Sequence, residues 1–334
     1  MQKPFAALLR KIPYFKELFL ELERCRIESD ERHSEASRER EQNERLSAEI
    51  ESCRAELARY RTWVPPGHFS SPIPAPDEVR LHEKEIYSIP RTMPGLDLRE
   101  REQLELFDQL LQYYDELPFP DQKSEGRRYW FENPAYSYSD AIFLFCMMRY
   151  ARPRRIIEVG SGYSSCAILD TNELFFGNSI SCTFIEPHPA LLLSLIRESD
   201  TERIHVIEKQ VQETELELFE TLEAGDILFI DSSHVSKVNS DVNHLFFKVL
   251  PLLQSGVYIH FHDIFYPFEY PLDWVYEGRA WNEAYLLRAF LQYNRQFEIQ
   301  IFNTFIDWFH KEKYFREMPL VMKNTGGSIW LKKV

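Results

Sequence analysis

Acidic and histidine side chains follow two short apolar runs in the second half of the sequence. Asp231 and His234 come directly after one run, and His262 and Asp263 end the other. Carboxylates bind divalent cations, and a neutral imidazole takes up protons near neutral pH. The sequence therefore predicts an acid–base pair or a cation site, with Asp231, His234 and His262 as the candidate catalytic residues.

A cation site would take ligands from both runs. Asp231 and Asp263 offer the oxygen donors that Mg²⁺ prefers, whereas an imidazole such as His262 suits Mn²⁺ or Fe²⁺ better. The predicted metal ligands are Asp231, His262 and Asp263. Because alternate residues of a strand lie on one face, His260 and His262 are expected to point the same way.

A glycine-containing turn follows the first predicted strand. The run at 156–159 is mostly β-branched, which indicates a buried parallel strand, and Gly160 and Gly162 follow it. Glycine lets the chain turn sharply and approach a ligand, although Ser165 replaces the third glycine of the dinucleotide fingerprint. Glu158 is expected to face the ligand crevice and hold an ammonium group. The alternative is an acid that only caps the loop.

A second acid, Glu186, ends the next apolar run and is followed by a proline. A carboxylate in this place accepts hydrogen bonds from ribose hydroxyls in nucleotide-binding sheets. The ligand is therefore expected to carry a ribose.

Predicted strands alternate with predicted helices from residue 156 onward, which indicates a doubly wound α/β fold with a mostly parallel sheet. Helices are expected at 98–116, 141–150, 191–196, 211–222, 242–250 and 284–293, and the last strands at 297–305 and 327–331. Ligands bind outside the carboxyl ends of parallel strands. The candidate residues are therefore expected around one crevice.

These motifs together resemble those of the class I S-adenosylmethionine-dependent methyltransferase superfamily. The matching segments are 158–162, 184–187 and 226–231, and the resemblance runs from about residue 126 to the C-terminus. It implies a Rossmann-like sheet of seven strands, the last two antiparallel neighbours in a hairpin, and S-adenosylmethionine as the cofactor. Carried over residue by residue, the cofactor contacts are Glu158, Gly160, Ser161, Gly162, Tyr163, Ser164 and Glu186.

Two tyrosines precede the predicted helix at 141–150. In the superfamily this helix and its leading loop close over the cofactor, so the resemblance makes Tyr136 and Tyr138 candidates to cover the sulfonium. The alternative, equally open in the sequence, is a pair of ordinary tyrosines at the edge of the core.

The run from Asp231 to His234 is similar to that of metal-dependent O-methyltransferases, including those that act on macrolide sugars. The resemblance implies a metal at Asp231 and Asp263 and His234 as the general base. His262 stands where those enzymes have an acid, which leaves the metal open. Aromatic residues beside Arg, Asn and Glu at 264–283 suit a sugar or glycan hydroxyl as acceptor, and equally suit plain packing.

The N-terminal region carries a heptad pattern that is apolar at both ends and polar in the middle. It predicts a coiled coil over 1–63 that makes a homo-oligomer, with Asn43 fixing the register; a solitary charged helix is the alternative. A proline-rich linker without helix or strand is expected at 64–98, the linker and an accessory helix together filling 64–125, and a methyltransferase domain at 126–334. The seam consists of Leu18, Leu22, Cys25, Ser29, Arg32, Ala36, Glu39, Asn43, Leu46, Ile50, Cys53, Leu57 and Tyr60.

Composition limits the partners and the compartment. The formal net charge of −14 over 334 residues argues against nucleic acid as the main ligand. No apolar run reaches membrane-spanning length, and the N-terminus lacks a secretory pattern. The five cysteines lack metal-type spacing, so free thiols and a cytoplasmic protein are expected.

Two other functions remain open from the sequence. One is a nicotinamide-dependent oxidoreductase on a Rossmann sheet, which the missing third glycine and Glu158 disfavour. The other is a scaffold, in which a coiled coil carries a cofactor-binding domain without turnover.

Overall fold

The computed structural model describes residues 13–59 and 63–334. Contacts divide the chain into two units with the boundary after Pro65. The first unit contains one long helix, α1 (Pro13–Arg59). The last seam residue, Tyr60, lies outside the described residues, and the domain limits at 63 and 125 stay predictions.

The second unit begins with a proline-rich segment that contains a helix, α2 (Pro76–Ile86). The prediction that prolines exclude helix from 64–98 is wrong, because Pro76 occupies the first turn, where proline fits. Val79 is the buried residue of this helix. The next helix, α3 (Glu100–Tyr114), lies within the predicted range of 98–116.

A sheet of seven strands forms the centre of the second unit. Its spatial order is β3-β2-β1-β4-β5-β7-β6, and β1 pairs in parallel with both β2 and β4. The strand order reverses at β1, so a crevice opens beyond the carboxyl ends of β1 and β4. The strands are β1 (Arg155–Val159), β2 (Ser181–Ile185), β3 (His205–Ile207), β4 (Ile227–Ile230), β5 (Tyr258–His262), β6 (Phe297–Phe302) and β7 (Ser328–Lys333).

The last strand inserts antiparallel between β5 and β6. The two final strands are antiparallel neighbours as predicted, but a long helix, α12 (Asn303–Glu317), separates them in the chain, so they are not joined as a hairpin. The helices of this unit after α3 are α4 (Tyr138–Ala151), α5 (Tyr163–Phe176), α6 (Ala190–Leu195), α7 (Glu217–Glu220), α8 (Asp241–His244), α9 (Leu250–Leu252), α10 (Leu272–Tyr276), α11 (Glu283–Leu291) and α12 (Asn303–Glu317).

Two predicted helices differ from the structure. The range 211–222 forms a 3₁₀ turn, Val211–Glu213, followed by the short α7. The range 242–250 is mainly a π-helical turn, Leu245–Val249, between α8 and α9. The fold class is confirmed: α/β with a mostly parallel sheet whose central strands β1, β4 and β5 are almost fully buried. Within the described part of the chain, no helix is long and apolar enough to cross a membrane.

Candidate active site

The turn after β1 packs against the end of β4. Gly160 has a φ of +81°, and a Cβ built there would overlap the backbone carbonyl oxygen of Asp231. The Asp231 N–H donates to the carbonyl of Val159 at 2.8 Å, and the Gly160 N–H donates to the carbonyl of Ile185 at 3.0 Å. Glycine is therefore required here because three strand ends meet, and Asp231 is fixed beside the turn.

Glu158 does not face open space, contrary to the orientation predicted from the sequence. Its side chain is fully buried, and its oxygens accept hydrogen bonds from the hydroxyls of Ser164, at 2.6 Å, and of Ser165. Burial raises the pKa of Glu158 to about 8. The contacts match the loop-capping alternative, in which the acid holds the start of α5, and direct contact with a cofactor stays a prediction.

Glu186 lines the crevice at the end of β2. Its two oxygens accept hydrogen bonds from the backbone N–H groups of Ser161, at 3.1 Å, and His188, at 2.8 Å. The crevice has a volume of about 460 Å³ and is lined by Gly160, Glu186 and Asp231, among others. This volume lies within the range of small-molecule sites. Glu186 and the glycine turn thus border one cavity, as the sequence predicts.

His234 is held between acidic side chains from three parts of the chain. Its Nδ1 lies 2.9 Å from Glu283 Oε2, and its Nε2 lies 3.4 Å from Asp231 Oδ1 and 3.6 Å from Asp263 Oδ2. Burial acts to lower the pKa of His234, but hydrogen bonds to Asp231 and Glu283 raise it to about 10. His234 and Asp263 both have positive φ, 59° and 54°, a conformation that is uncommon outside glycine and concentrated at functional sites.

The start of α11 fixes the loop that carries His234. The backbone N–H groups of Asn282 and Glu283 donate to the carbonyl of His234 at 2.9 and 3.1 Å. Ser232 Oγ donates to the other Glu283 oxygen at 3.0 Å. The imidazole therefore has one orientation, with Nδ1 toward Glu283.

His260 and His262 lie on the same face of β5, as predicted. His260 is fully buried and stacks on Phe229 with ring centroids 4.0 Å apart, and burial lowers its pKa well below the ordinary value. His262 Nε2 lies 3.6 Å from Asp263 Oδ1. Burial acts to lower the pKa of His262, but the charges of Asp263, Asp231 and the buried Asp140 raise it.

The predicted metal ligands do not fit a metal ion in this arrangement. Among the residues that the structure describes, no group of three His, Cys, Asp or Glu side chains is placed to hold one. The two carboxylates, Asp231 and Asp263, instead face the same nitrogen of His234. The metal site at Asp231, His262 and Asp263 stays a prediction.

The two predicted cofactor-covering tyrosines are both buried. Tyr136 donates from its hydroxyl to the carbonyl of Asp140 at 3.0 Å, and its ring lies 5.1 Å from that of His262. Tyr138 stacks on Phe131 and accepts a hydrogen bond from Lys323 at 3.0 Å. These contacts favour the alternative of core tyrosines, and contact with a cofactor stays a prediction.

A second cavity, with an aromatic lining, borders Trp281, which contacts His234. Trp281 packs on the His234 ring with centroids 4.4 Å apart and also lines a cavity of about 260 Å³. The cavity is bounded by the loop after β5 and by the segment that contains α2. Its aromatic and polar lining includes Tyr87, Glu269, Tyr270, Arg279, Trp281 and Tyr285.

Comparison with known proteins places this geometry in a family. A family model described as a methyltransferase domain matches residues 157–264, from β1 to the end of β5 and just beyond. An uncharacterised protein of Archaeoglobus fulgidus is 35% identical over 170 residues, which are 49% of this chain and 75% of that protein. The chain belongs to the class I S-adenosylmethionine-dependent methyltransferase superfamily. This confirms the predicted family, the enzyme class and S-adenosylmethionine as the cofactor, against the nicotinamide alternative.

Solved methyltransferase structures resemble this methyltransferase more distantly. An O-methyltransferase from Bacillus cereus in complex with SAH is 14% identical, with 76% of this chain and 96% of that chain covered and a TM-score of 0.39. The O-methyltransferase TomG from Streptomyces achromogenes, involved in tomaymycin synthesis and in complex with SAM, is 15% identical, with 77% and 96% covered and a TM-score of 0.36. Neither likeness is close enough to assign an acceptor or a metal.

Sequence reasoning missed three residues of this methyltransferase site. Glu283 lies 49 residues from His234, and Asp140 belongs to the helix before β1. Trp281 lies in a segment that suited packing as well as binding. Their residue types gave no periodic signal, because only the folded chain brings Glu283 and Trp281 to His234 and the charge of Asp140 close to His262.

Proposed function

We propose that the protein is an S-adenosylmethionine-dependent O-methyltransferase in which His234 removes the proton of the acceptor hydroxyl. The observation that carries the proposal is the hydrogen bond between His234 Nδ1 and Glu283 Oε2, at 2.9 Å, beside the crevice that Asp231 lines. A base whose ring is oriented by a buried carboxylate is a recurrent arrangement in acid–base catalysis.

The crevice of about 460 Å³ is the site we assign to the cofactor. When bound, S-adenosylmethionine supplies an electrophilic methyl group on a sulfonium. Glu186 lies at the end of β2, where an acid accepts hydrogen bonds from ribose hydroxyls. Glu158 supports this site indirectly, because its carboxyl group holds Ser164 and Ser165 at the start of α5.

His234 and its neighbours align the acceptor and receive its proton. The acceptor oxygen forms a bond to the methyl carbon as the bond from that carbon to sulfur breaks, and the hydroxyl proton passes to Nε2 of His234. Alignment of the two reactants supplies much of the rate enhancement in such displacements. The imidazolium that forms is stabilised by Glu283, with which His234 is already hydrogen bonded.

We assign the acceptor to the aromatic cavity beyond Trp281, and a sugar or glycan hydroxyl as its chemical class. Trp281 and Tyr285 offer flat apolar surfaces, while Glu269 and Arg279 offer an acceptor and donors for hydroxyl groups. Tyr285 already donates to Glu269 Oε2 at 2.9 Å, so these polar groups are oriented before a ligand binds.

The test follows formation of S-adenosylhomocysteine by the full chain, with a panel of methyl glycosides as acceptors. We expect His234→Asn to lower the rate by about 10²–10⁴-fold, the usual contribution of a general base. The control is His205→Asn, because His205 is exposed on β3. A His234→Asn variant with the wild-type rate would overturn the assignment of the base.

We further propose that α1 joins two copies of the chain, and that the domain limits predicted from the sequence describe its organisation. Support comes from the seam, since its large apolar side chains are exposed in the single chain.

A further inference from the structure

The heptad seam of α1, apolar at both ends and polar in the middle, is exposed along its length. Its large apolar members, Leu18, Leu22, Leu46, Ile50 and Leu57, are between 43 and 69% exposed. Such side chains at heptad spacing bury themselves when a second helix packs along the seam. With Leu22 at position a of the heptad, Leu18, Cys25 and Cys53 occupy position d.

The flanking positions e and g carry opposite charges. Position g is acidic in every described heptad but one: Glu21, Glu28, Glu35, Gln42, Glu49 and Glu56. Position e is basic in four of the described heptads, with Phe19 and Ser47 as the others: Phe19, Arg26, His33, Arg40, Ser47 and Arg54. The e and g residues decide the partner and the orientation of paired helices.

We propose that α1 pairs with α1 of a second copy of this chain, parallel and in register. In that arrangement each g residue lies beside the e residue of the partner's following heptad. Among the e and g positions this juxtaposes Glu with Arg or His four times and Gln42 with Ser47 once, with no like charges opposed. In the seam itself, Arg32 and Glu39 at position d each face their own copy, which is consistent with the polar middle of the helix. The inference rests on the proposed dimer and adds its orientation, register and contacts.

An antiparallel pair would have the opposite electrostatics. Its g residues would face g residues and its e residues would face e residues, so Glu would oppose Glu and Arg would oppose Arg. Asn43, at position a, points to the same arrangement, because a single buried Asn at position a specifies the register of paired helices.

Among the described e and g residues, only Glu28 and Glu49 form ion pairs within the single helix. The described residues of α1 form two, Glu28 with Arg32 at 3.7 Å and Arg45 with Glu49 at 3.3 Å. Both are largely exposed pairs of the kind that contribute little. Arg26, Glu35 and Arg40 remain exposed and available to a partner helix.

Cysteine cross-linking tests the orientation in the full chain. Cys25 and Cys53 are exposed, whereas Cys146, Cys166 and Cys182 are buried, so oxidation by copper phenanthroline acts on the first two. In a parallel, in-register pair both single variants, Cys25→Ser and Cys53→Ser, give a covalent dimer in non-reducing electrophoresis, because each remaining cysteine opposes its own copy. No antiparallel register brings both identical pairs together.

The outcomes separate the two proposals. Light scattering after size-exclusion chromatography gives the mass in solution, and a monomer at all concentrations would overturn both the dimer and its orientation. A dimer in which only one single-cysteine variant cross-links, or neither does, would overturn the orientation alone. Methyl transfer is measured separately, so the catalytic proposal is tested independently of both.

A charge reversal gives a second test, because the parallel and antiparallel arrangements predict opposite changes in the affinity of the dimer. Glu35→Arg places Arg beside the partner's Arg40 in the parallel pair, so we expect the dissociation constant of the dimer to rise about tenfold. The double variant Glu35→Arg with Arg40→Glu should restore the wild-type dissociation constant. Glu31→Arg changes the charge equally at a position away from the seam and is the matched control. In an antiparallel pair Glu35→Arg would instead relieve repulsion and tighten the dimer, which would contradict the proposal.

Discussion

Glu283 and His234 are separated by 49 residues and form a buried hydrogen bond of 2.9 Å between Oε2 and Nδ1. The carboxylate lies at the first position of α11, and the N–H groups at the start of that helix hold the His234 backbone. One helix start thus fixes both the ring and the loop.

Replacing Glu283 is expected to change the rate and its pH dependence. Burial lowers the pKa of His234, and hydrogen bonds to Asp231 and Glu283 raise it to about 10. Because a base acts only when deprotonated, kcat/KM in the wild type should rise with pH toward this value. Glu283→Gln removes a negative charge, so the rise should move to lower pH, with a maximal rate roughly 10–100-fold lower.

A pH–rate profile with a fixed methyl glycoside acceptor checks this expectation. Glu215→Gln, on an exposed residue, is the control and should leave the profile unchanged. A Glu283→Gln profile that rises at the same pH as the wild type would contradict the coupling between the two side chains.

Gly160 is expected to tolerate no side chain. Gly160→Ala adds roughly 1–2 kcal/mol of strain from the positive φ and about 1–3 kcal/mol more from overlap with the Asp231 backbone. Gly126→Ala is the matched control, because Gly126 has a φ of +87° and nothing within 4 Å of the added Cβ. Urea unfolding should show a larger loss of unfolding free energy for Gly160→Ala than for Gly126→Ala. Equal losses would contradict the steric argument.

Glu158 should make stability fall as pH rises. Its pKa in the folded protein is raised by burial from 4.5 to about 8, so the folded state holds a proton that the unfolded chain releases. Its contribution is complete below about pH 4.5 and is lost as pH rises through 8. Glu158→Gln should reduce the decrease in the free energy of unfolding between pH 5 and 8, by roughly a few kcal/mol at most.

Urea titrations of both proteins without cofactor, at several pH values in that window, measure the effect. Parallel pH curves for wild type and Glu158→Gln would show that the buried carboxyl ionises normally.

Glu186 should matter for cofactor affinity rather than for turnover. Glu186→Ala removes hydrogen bonds to the N–H groups of Ser161 and His188, together with the predicted ribose contact. Lost hydrogen bonds to a charged group correspond to roughly 10–100-fold weaker binding. Calorimetry with S-adenosylhomocysteine measures it, with the exposed Glu202→Ala as control. Unchanged affinity would place the ribose elsewhere.

Filling the aromatic cavity should weaken acceptor binding alone. Val79 is buried and lines the cavity, whereas Leu81, on the same helix, is 78% exposed. Val79→Trp should raise the KM of the acceptor several-fold while leaving affinity for S-adenosylhomocysteine unchanged, and Leu81→Trp should change neither. Thermal unfolding of both variants excludes a general loss of fold. A normal KM in a folded Val79→Trp protein would move the acceptor site.

Local pattern was sufficient for the elements that depend on neighbouring residues. The β-branched run before Gly160, the acids after β2 and β4, and the alternation of strands with helices predicted the sheet and the family. Pattern failed where a local rule had a positional exception. Proline excludes the interior of a helix but fits its first turn, and Pro76 begins α2 there.

The sequence by itself determined the order of the motifs along the chain, the family and the heptad pattern of α1, because hydrophobic periodicity and turn residues act over a few positions. Only the tertiary structure decided that Glu158 is buried against two serines and that Glu283 orients His234. Burial and hydrogen bonding between distant residues depend on how helices pack on the sheet, and no spacing in the chain encodes that packing.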